Sequence, residues 1–282
     1  MNIGFYPGCS LKGTSSEYAQ STLALAKFFD IHFTEIRDWN CCGATAAHNL
    51  NHELSVALPA RILALAEQQG LMEIVVPCAA CYNRLSVTQY ALNKDLVLKD
   101  RLSDTLQMPL SGNIRILNVM QFIEKYIAGR IEEKISKPFA HKVVCYYGCL
   151  LVRPYNILRF DRLEDPQSMD ALMQKIGATA LDWAYKTECC GAGFSVSRTD
   201  VVAKLSGKIV KDAEDREAEA IIVACPMCQS NLDMRRPHID SYLHTKTHIP
   251  VMYITQAIGL AVGIKREELG LKKLFVAPAF VD

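Results

Sequence analysis

Eight short runs rich in β-branched and aromatic residues punctuate the chain, at 3–6, 32–36, 73–76 and 114–119, and again at 142–147, 178–183, 220–224 and 250–254. Between them the apolar positions change to the spacing of a helix. In 167–177 the residues Met169, Leu172, Met173 and Ile176 share one helical face, with Asp165 read as the N-cap, Pro166 as the first helical residue and Gly177 as the stop. Thr199 is read as the cap of another helix, whose buried stripe is Val202, Leu205 and Ile209. Strands alternating with helices predict an α/β fold built as two pseudo-symmetric repeats, each with a parallel-type sheet flanked by helices. The loops that follow parallel strands share one edge of the sheet, and ligands gather there. The polar, proline-containing stretch 129–142 reads as a linker, so the expected repeats are residues 1–139 and 140–282.

The cysteines repeat with the pattern. Ten of the eleven fall as Cys9, Cys41-Cys42 and Cys78-x-x-Cys81, then as Cys149, Cys189-Cys190 and Cys225-x-x-Cys228. The gaps agree, with 31 residues between Cys9 and Cys41 against 39 between Cys149 and Cys189, and 35 between Cys42 and Cys78 against 34 between Cys190 and Cys225. The surrounding text agrees too. Tyr6-Pro7-Gly8-Cys9 answers Tyr146-Tyr147-Gly148-Cys149, and the run from Ile74 to Leu85 lies over the run from Ile222 to Leu232. Agreement of this kind over two halves is an internal duplication. Cys9, Cys149, Cys78 and Cys225 each follow a predicted strand directly, so the fold would carry cysteines far apart in sequence to one rim.

Composition narrows the chemistry. A chain of 282 residues has enough core to stand without disulfide staples. The opening Met-Asn-Ile-Gly-Phe-Tyr-Pro has no basic stretch leading into an apolar run, which points to a reducing, cytoplasmic setting. Thiols kept reduced bind metal or do redox work more often than they pair. The 31 basic and 30 acidic residues leave a net charge of +1, which gives no broad attraction to nucleic acid, and no apolar run approaches the roughly 20 residues of a membrane span.

An isolated thiolate is expensive to bury, by several kcal/mol, so ten of them call for metal. Zinc in a closed tetrahedron takes four ligands, leaves one cysteine over in each copy, and seldom uses adjacent cysteines. Five thiolates suit an iron–sulfur assembly better.

The pattern Cys-x31-Cys-Cys-Gly-x34-Cys-x-x-Cys, repeated, resembles the duplicated CCG domain of the heterodisulfide reductase B-subunit family, and the resemblance covers almost the whole chain. It implies two non-cubane [4Fe-4S] clusters, one on Cys9, Cys41, Cys42, Cys78 and Cys81, the other on Cys149, Cys189, Cys190, Cys225 and Cys228. It further implies reduction of a disulfide of the coenzyme M–coenzyme B type, two one-electron centres matching the two electrons that an S–S bond requires. The implied partners are an iron–sulfur subunit of the C type and a flavin subunit of the A type within one complex. The chain itself has no Cys-x-x-Cys-x-x-Cys run and no Gly-x-Gly-x-x-Gly fingerprint, so its electrons are expected to come from another subunit. CCG domains also serve quinone-linked oxidation systems, which is the alternative reading, and a zinc-bound scaffold is a third.

Other residues have plainer roles. Cys145, inside a predicted strand, reads as a small buried hydrophobe. Gly8, Gly43, Gly148 and Gly191 give the backbone room to turn beside the cysteines. His48 and His52 follow the first Cys-Cys-Gly at helical spacing without counterparts after Cys190, which favours surface or packing roles. Lys12, Arg84, Arg153, Arg198 and the pair Arg235-Arg236 are candidates to steer an anion. The run 274–281 is too apolar for a free tail and is expected to pack on this chain or on a partner.

Overall fold

The computed structural model describes residues 3–45 and 47–280, apart from the side chain of His48, which lies outside the described residues. Two four-stranded sheets, each entirely parallel, fill the two halves. The first holds β1 (Ile3–Phe5), β2 (Phe33–Glu35), β3 (Glu73–Val75) and β4 (Arg115–Leu117), in the order β2-β1-β3-β4. The second holds β5 (Lys142–Tyr146), β6 (Thr179–Ala180), β7 (Ala220–Val223) and β8 (Val251–Tyr253), in the order β6-β5-β7-β8. Every expected strand is present, and the edge strands are shorter than the apolar runs suggest. Residues such as Val143, Val144, Ile221 and Ile222 are fully buried because helices cover both faces of their sheet.

This order places the reversal of direction between the first and third strand of each half. The chain leaves β1 toward β2 on one side and returns to β3 on the other, with Gly4 opposite Ile74 and Phe5 opposite Val75. In the second half Val143 lies opposite Ala220 and Tyr146 opposite Val223. The loops that leave the carboxyl ends of three neighbouring strands therefore open onto one crevice, and these loops carry the cysteines.

One apolar core runs through both halves. The helix Ser16–Phe28 of the first half packs on the helix Ile254–Ala261 of the second. Across that seam Tyr18 stacks on Tyr253 with ring centroids 4.0 Å apart, and the hydroxyls of Ser21 and Thr255 meet at 2.7 Å. Asn83 reaches across as well, donating to the carbonyls of Arg153 at 2.6 Å and Leu150 at 3.3 Å. The expected linker is not a loose tether. Ile131 and Phe139 are buried, and the amides of Ser136 and Phe139 donate to Ala261 and Ile176.

Two capping expectations fail for a local reason. The helix Ser168–Lys175 starts after Gln167, and the carboxylate of Asp161 accepts from the amides of Gln167 and Ser168 at 2.9 and 2.7 Å. Asp161, not Asp165, thus satisfies the open amides of the first turn. Asp165 is drawn instead to the buried Lys186, 2.8 Å away. Gly177 does end that segment, at φ +96°. Thr199 is the first residue of the helix Thr199–Asp215, while Arg198 occupies the N-cap position. The stripe of that helix includes Val202 and Ile209 as expected, with Leu205 only half-buried.

Candidate functional site

Three loops supply each set of five sulfurs. In the first half Cys9 follows β1, Cys41-Cys42 follows β2, and Cys78 caps the helix Ala79–Lys94 after β3 with Cys81 inside its first turn. In the second half Cys149, Cys189-Cys190, Cys225 and Cys228 stand at the corresponding places after β5, β6 and β7. All eleven cysteines are free thiols.

Eight of the ten sulfurs meet in a string, and the other two, Cys149 and Cys189, pair beside it. Cys9 and Cys41 lie 4.0 Å apart, Cys42 and Cys81 3.1 Å, Cys190 and Cys228 3.8 Å. Cys41 contacts Cys42, Cys81 contacts Cys78, Cys149 contacts Cys189, and Cys225 contacts Cys228. Cys78 of the first half also reaches Cys225 of the second, which joins the two sets. Among the described residues no three His, Cys, Asp or Glu side chains converge as a single metal ion would require. Cys42, Cys78, Cys81, Cys190, Cys225 and Cys228 are buried, whereas Cys9, Cys41 and Cys189 are exposed and Cys149 half-buried. Each set thus has a closed inner side and a mouth.

Electrostatics along these sulfurs are uneven. Cys41 is drawn down to about 2 by the thiols of Cys42 and Cys9, with the Gly43 amide, 3.4 Å from its sulfur, behind them. Cys189 falls to about 6 through Cys149 and then the amides of Gly191 and Ala192. Cys225 is held well below the usual thiol range by Cys228 and Cys78. The others shift the opposite way: Cys42 rises to about 11 beside Cys41, and Cys9, Cys78, Cys81, Cys149 and Cys228 are raised, first by the sulfur they face and then by burial. Adjacent thiolates repel, so only some of the string ionises unless a cation joins it. The donor set therefore fits a cationic thiophilic group that would hold every sulfur as thiolate.

The backbone leaves room for such a group. Gly8 and Gly148 turn at φ +62° and +69°, and a Cβ there would stand 3.3 Å from the Cys81 sulfur and 2.9 Å from the Cys228 sulfur. Tyr6 and Tyr146 brace the two mouths alike, donating to the carbonyls of Asn40 at 2.8 Å and Glu188 at 2.6 Å.

The remaining expectations divide. Cys145 is buried in β5, and burial pushes its thiol well up, in keeping with a packing role. His52 is exposed at the start of the helix His52–Gln68. Lys12, Arg153 and Arg198 are engaged by Glu35, Glu164 and Asp200, and only Arg84 of these four has no ion-pair partner among the described residues. Arg236 is no anion trap. It is buried and donates to Thr247 and the Ile249 carbonyl. The apolar tail packs on its own chain: the amides of Phe275 and Val276 donate to Asp233, and Phe280 stacks on His141. Val281 lies outside the described residues.

Two groups escaped the sequence reading. The buried Lys186 binds Asp165 and Asp170 through its side chain, while its carbonyl accepts from the amides of Tyr147 and Gly148 at 2.9 and 3.0 Å, fixing the approach to Cys149. Tyr18 donates to the carbonyls that precede Cys78 and Cys225. A lysine or tyrosine outside the repeated cysteine blocks carries no pattern from which either role could be read.

Comparison with known proteins agrees with this geometry. The model of the CCG cysteine-rich domain matches twice, at residues 3–86 and 143–233. The chain is 30% identical to the 8-methylmenaquinol:fumarate reductase membrane anchor subunit of Wolinella succinogenes, over 95% of each chain. It is 26% identical to the B subunit of the ferredoxin/F(420)H(2)-dependent CoB-CoM heterodisulfide reductase of Methanosarcina acetivorans, over 96% of this chain and 92% of that one. A crystal structure of a hypothetical protein from Helicobacter pylori superposes on 99% of the chain with a TM-score of 0.81 at 13% identity, a likeness of fold, and the chain spans about half, 53%, of that structure. Among the described residues no helix is long and apolar enough to cross a membrane.

Proposed function

The chain belongs to the CCG cysteine-rich-domain family, and from that membership we propose that it is the catalytic electron-transfer subunit of a reductase complex, of the kind represented by the heterodisulfide reductase B subunits. Cys9, Cys41, Cys42, Cys78 and Cys81 would hold one non-cubane [4Fe-4S] cluster, and Cys149, Cys189, Cys190, Cys225 and Cys228 the other. The observation that carries this reading is a string of eight sulfurs from Cys9 to Cys190, joined through Cys78 and Cys225 where the two halves meet, with the pair Cys149 and Cys189 beside it. Sulfurs strung in pairs suit a group several iron atoms wide more than a closed four-thiol knot.

When bound, such clusters supply electrons one at a time. The chain's own residues set the rest. Tyr18 and the seam keep the two sets at a fixed separation, the buried sulfurs keep water from the inner side, and the exposed Cys9, Cys41 and Cys189 mark where a reactant approaches. The acceptor is a small disulfide of the CoM-S-S-CoB type, reduced by one electron from each set. An iron–sulfur subunit and a flavin subunit, C-like and A-like, would feed it within one cytoplasmic complex.

The 30% identity to a methylmenaquinol-linked subunit favours a second reading, in which the same two centres exchange electrons with a quinone. One experiment tests both. Anaerobically prepared protein is analysed for iron and sulfide, reduced, and mixed separately with CoM-S-S-CoB and with a menaquinone analogue. Reoxidation by the disulfide supports the first reading, reoxidation by the quinone alone replaces it with the second, and a colourless protein holding zinc but no iron overturns both.

A further inference from the structure

The duplicated halves do not treat their sulfurs alike. After Cys78 the chain runs as a continuous α-helix, Ala79–Lys94. After Cys225 it is α-helical only for Pro226–Gln229 and then passes into a π-helical turn, Ser230–Met234. Such turns are rare and re-aim the side chains they carry, often at functional sites. The one here carries Asn231, three residues past Cys228, where the first half has Asn83 two residues past Cys81.

The two asparagines consequently do different work. Asn83 donates away from the sulfurs, to the carbonyls of Leu150 and Arg153. Asn231 is fully buried and donates toward them, to the Cys190 carbonyl at 3.0 Å and the Cys190 sulfur at 3.7 Å. Its side chain is fixed in that sense, because the Ser195 hydroxyl donates to its Oδ1 at 2.8 Å and Arg235 in turn donates to the Ser195 carbonyl at 2.7 Å. Among the described residues no side-chain amide donates to a sulfur of the first set, whereas the backbone donors are matched, Gly43 to Cys41 and Gly191 to Cys189.

We infer that Asn231 is a positioning residue that makes the two centres unequal in reduction potential by donating a hydrogen bond to the Cys190 sulfur. A donor at a ligand sulfur stabilises the more electron-rich, reduced state and raises the potential of that centre. Two equal centres would compete for the first electron. With this bond, the second set draws it, and the order of filling is built into the fold. The inference rests on both sets holding iron–sulfur clusters.

The test is a redox titration of the anaerobically loaded full chain, followed by EPR and visible absorbance with iron content measured in parallel. Asn231→Leu, which removes the donor at nearly constant size, is expected to shift one midpoint downward and leave the other in place. Ser195→Ala, which releases the asparagine and gives up a contact to the Ala192 carbonyl, is expected to shift the same midpoint in the same direction by less, and it serves where the buried substitution fails to fold. Asn83→Leu is expected to move neither midpoint. Midpoints that stay put in the loaded Asn231 and Ser195 variants, or that move together, overturn the inference while leaving the functional reading intact. A chain without iron in either set overturns both, and the iron analysis tells the two failures apart.

Discussion

The hydroxyl of Tyr18 donates to the carbonyl of Ala224 at 3.2 Å, across the seam between the halves and 206 residues along the chain. The same hydroxyl lies 3.4 Å from the carbonyl of Pro77. Ala224 and Pro77 are the residues just before Cys225 and Cys78, so one buried hydroxyl gauges the distance between the innermost sulfurs of the two sets. Its proton is held firmly: burial, then the nearby sulfurs of Cys225 and Cys78, push Tyr18 well above the ordinary phenol range.

Tyr18→Phe keeps the stack on Tyr253 and removes only the hydroxyl. Leaving two buried carbonyls short of a donor is expected to cost about 1–2 kcal/mol, read as a lower thermal unfolding midpoint. Iron should also be lost sooner from both sets on exposure to air, as seen in the decay of visible absorbance. A variant as stable as the parent, with unchanged decay, would show that the seam is held by packing alone.

Gly148→Ala and Gly8→Ala form a graded pair. Both positions need a positive φ, which costs an alanine about 1 kcal/mol. The added Cβ falls 2.9 Å from the Cys228 sulfur in one case and 3.3 Å from the Cys81 sulfur in the other. Iron content in Gly148→Ala is expected to fall toward half of the parent's, with a milder loss in Gly8→Ala, measured by metal analysis of purified protein.

Cys81→Ser and Cys228→Ser address the two sets singly. Each is expected to lower iron and remove one EPR signal while far-ultraviolet circular dichroism stays unchanged, because the α/β core forms without the sulfurs. Full iron content together with full disulfide reduction in Cys81→Ser would sink the assignment of that residue.

Loading should depend on pH in a set direction. The thiols of Cys9, Cys42, Cys78, Cys81, Cys149 and Cys228 are raised, so in the unloaded chain they keep their protons at neutral pH, and each sulfur that binds must release one. Uptake of ferrous iron or zinc by the unloaded chain is therefore expected to strengthen as pH rises through the neutral range and on toward the raised values, about 11 for Cys42, with proton release measurable in weak buffer. Affinity that is flat with pH would contradict the presence of protonated thiols among these sulfurs.

Glu73, at the start of β3, ties that strand to the helix Val119–Tyr126 through Lys125 and Tyr126, and to Arg115 of β4. Burial opposes its charge, but the hydrogen bonds from Lys125 and Tyr126 outweigh it and hold the carboxyl below its usual range. A carboxylate depressed in the fold stabilises above its unfolded value, about 4.3, and that contribution is lost as pH falls through the folded value. Glu73→Gln is expected to cost about 1 kcal/mol at pH 7 and less at pH 3, in urea unfolding at the two values. An equal difference at both values would mean that shape, not charge, is what Glu73 contributes.

The sequence by itself determined the duplication, all eight strands and the two cysteine sets, because these rest on local regularities: runs of β-branched residues, helical spacing, and the repeated Cys-Cys-Gly and Cys-x-x-Cys blocks. It misplaced what depends on which of several polar groups reaches an amide first, so Asp165 was read as a cap that Asp161 supplies, with Asp165 taken by Lys186. Only the tertiary structure decided that the halves share one core, that Cys78 meets Cys225, that Tyr18 spans the two loops, and that Asn83 and Asn231 part company. Those are contacts between residues far apart in the chain, 206 positions for Tyr18 and Ala224 and 234 for Ser21 and Thr255, or turns set by a single offset in helix winding. Local propensity carries no information about either, because such contacts exist only once the parallel sheets have fixed where each loop emerges.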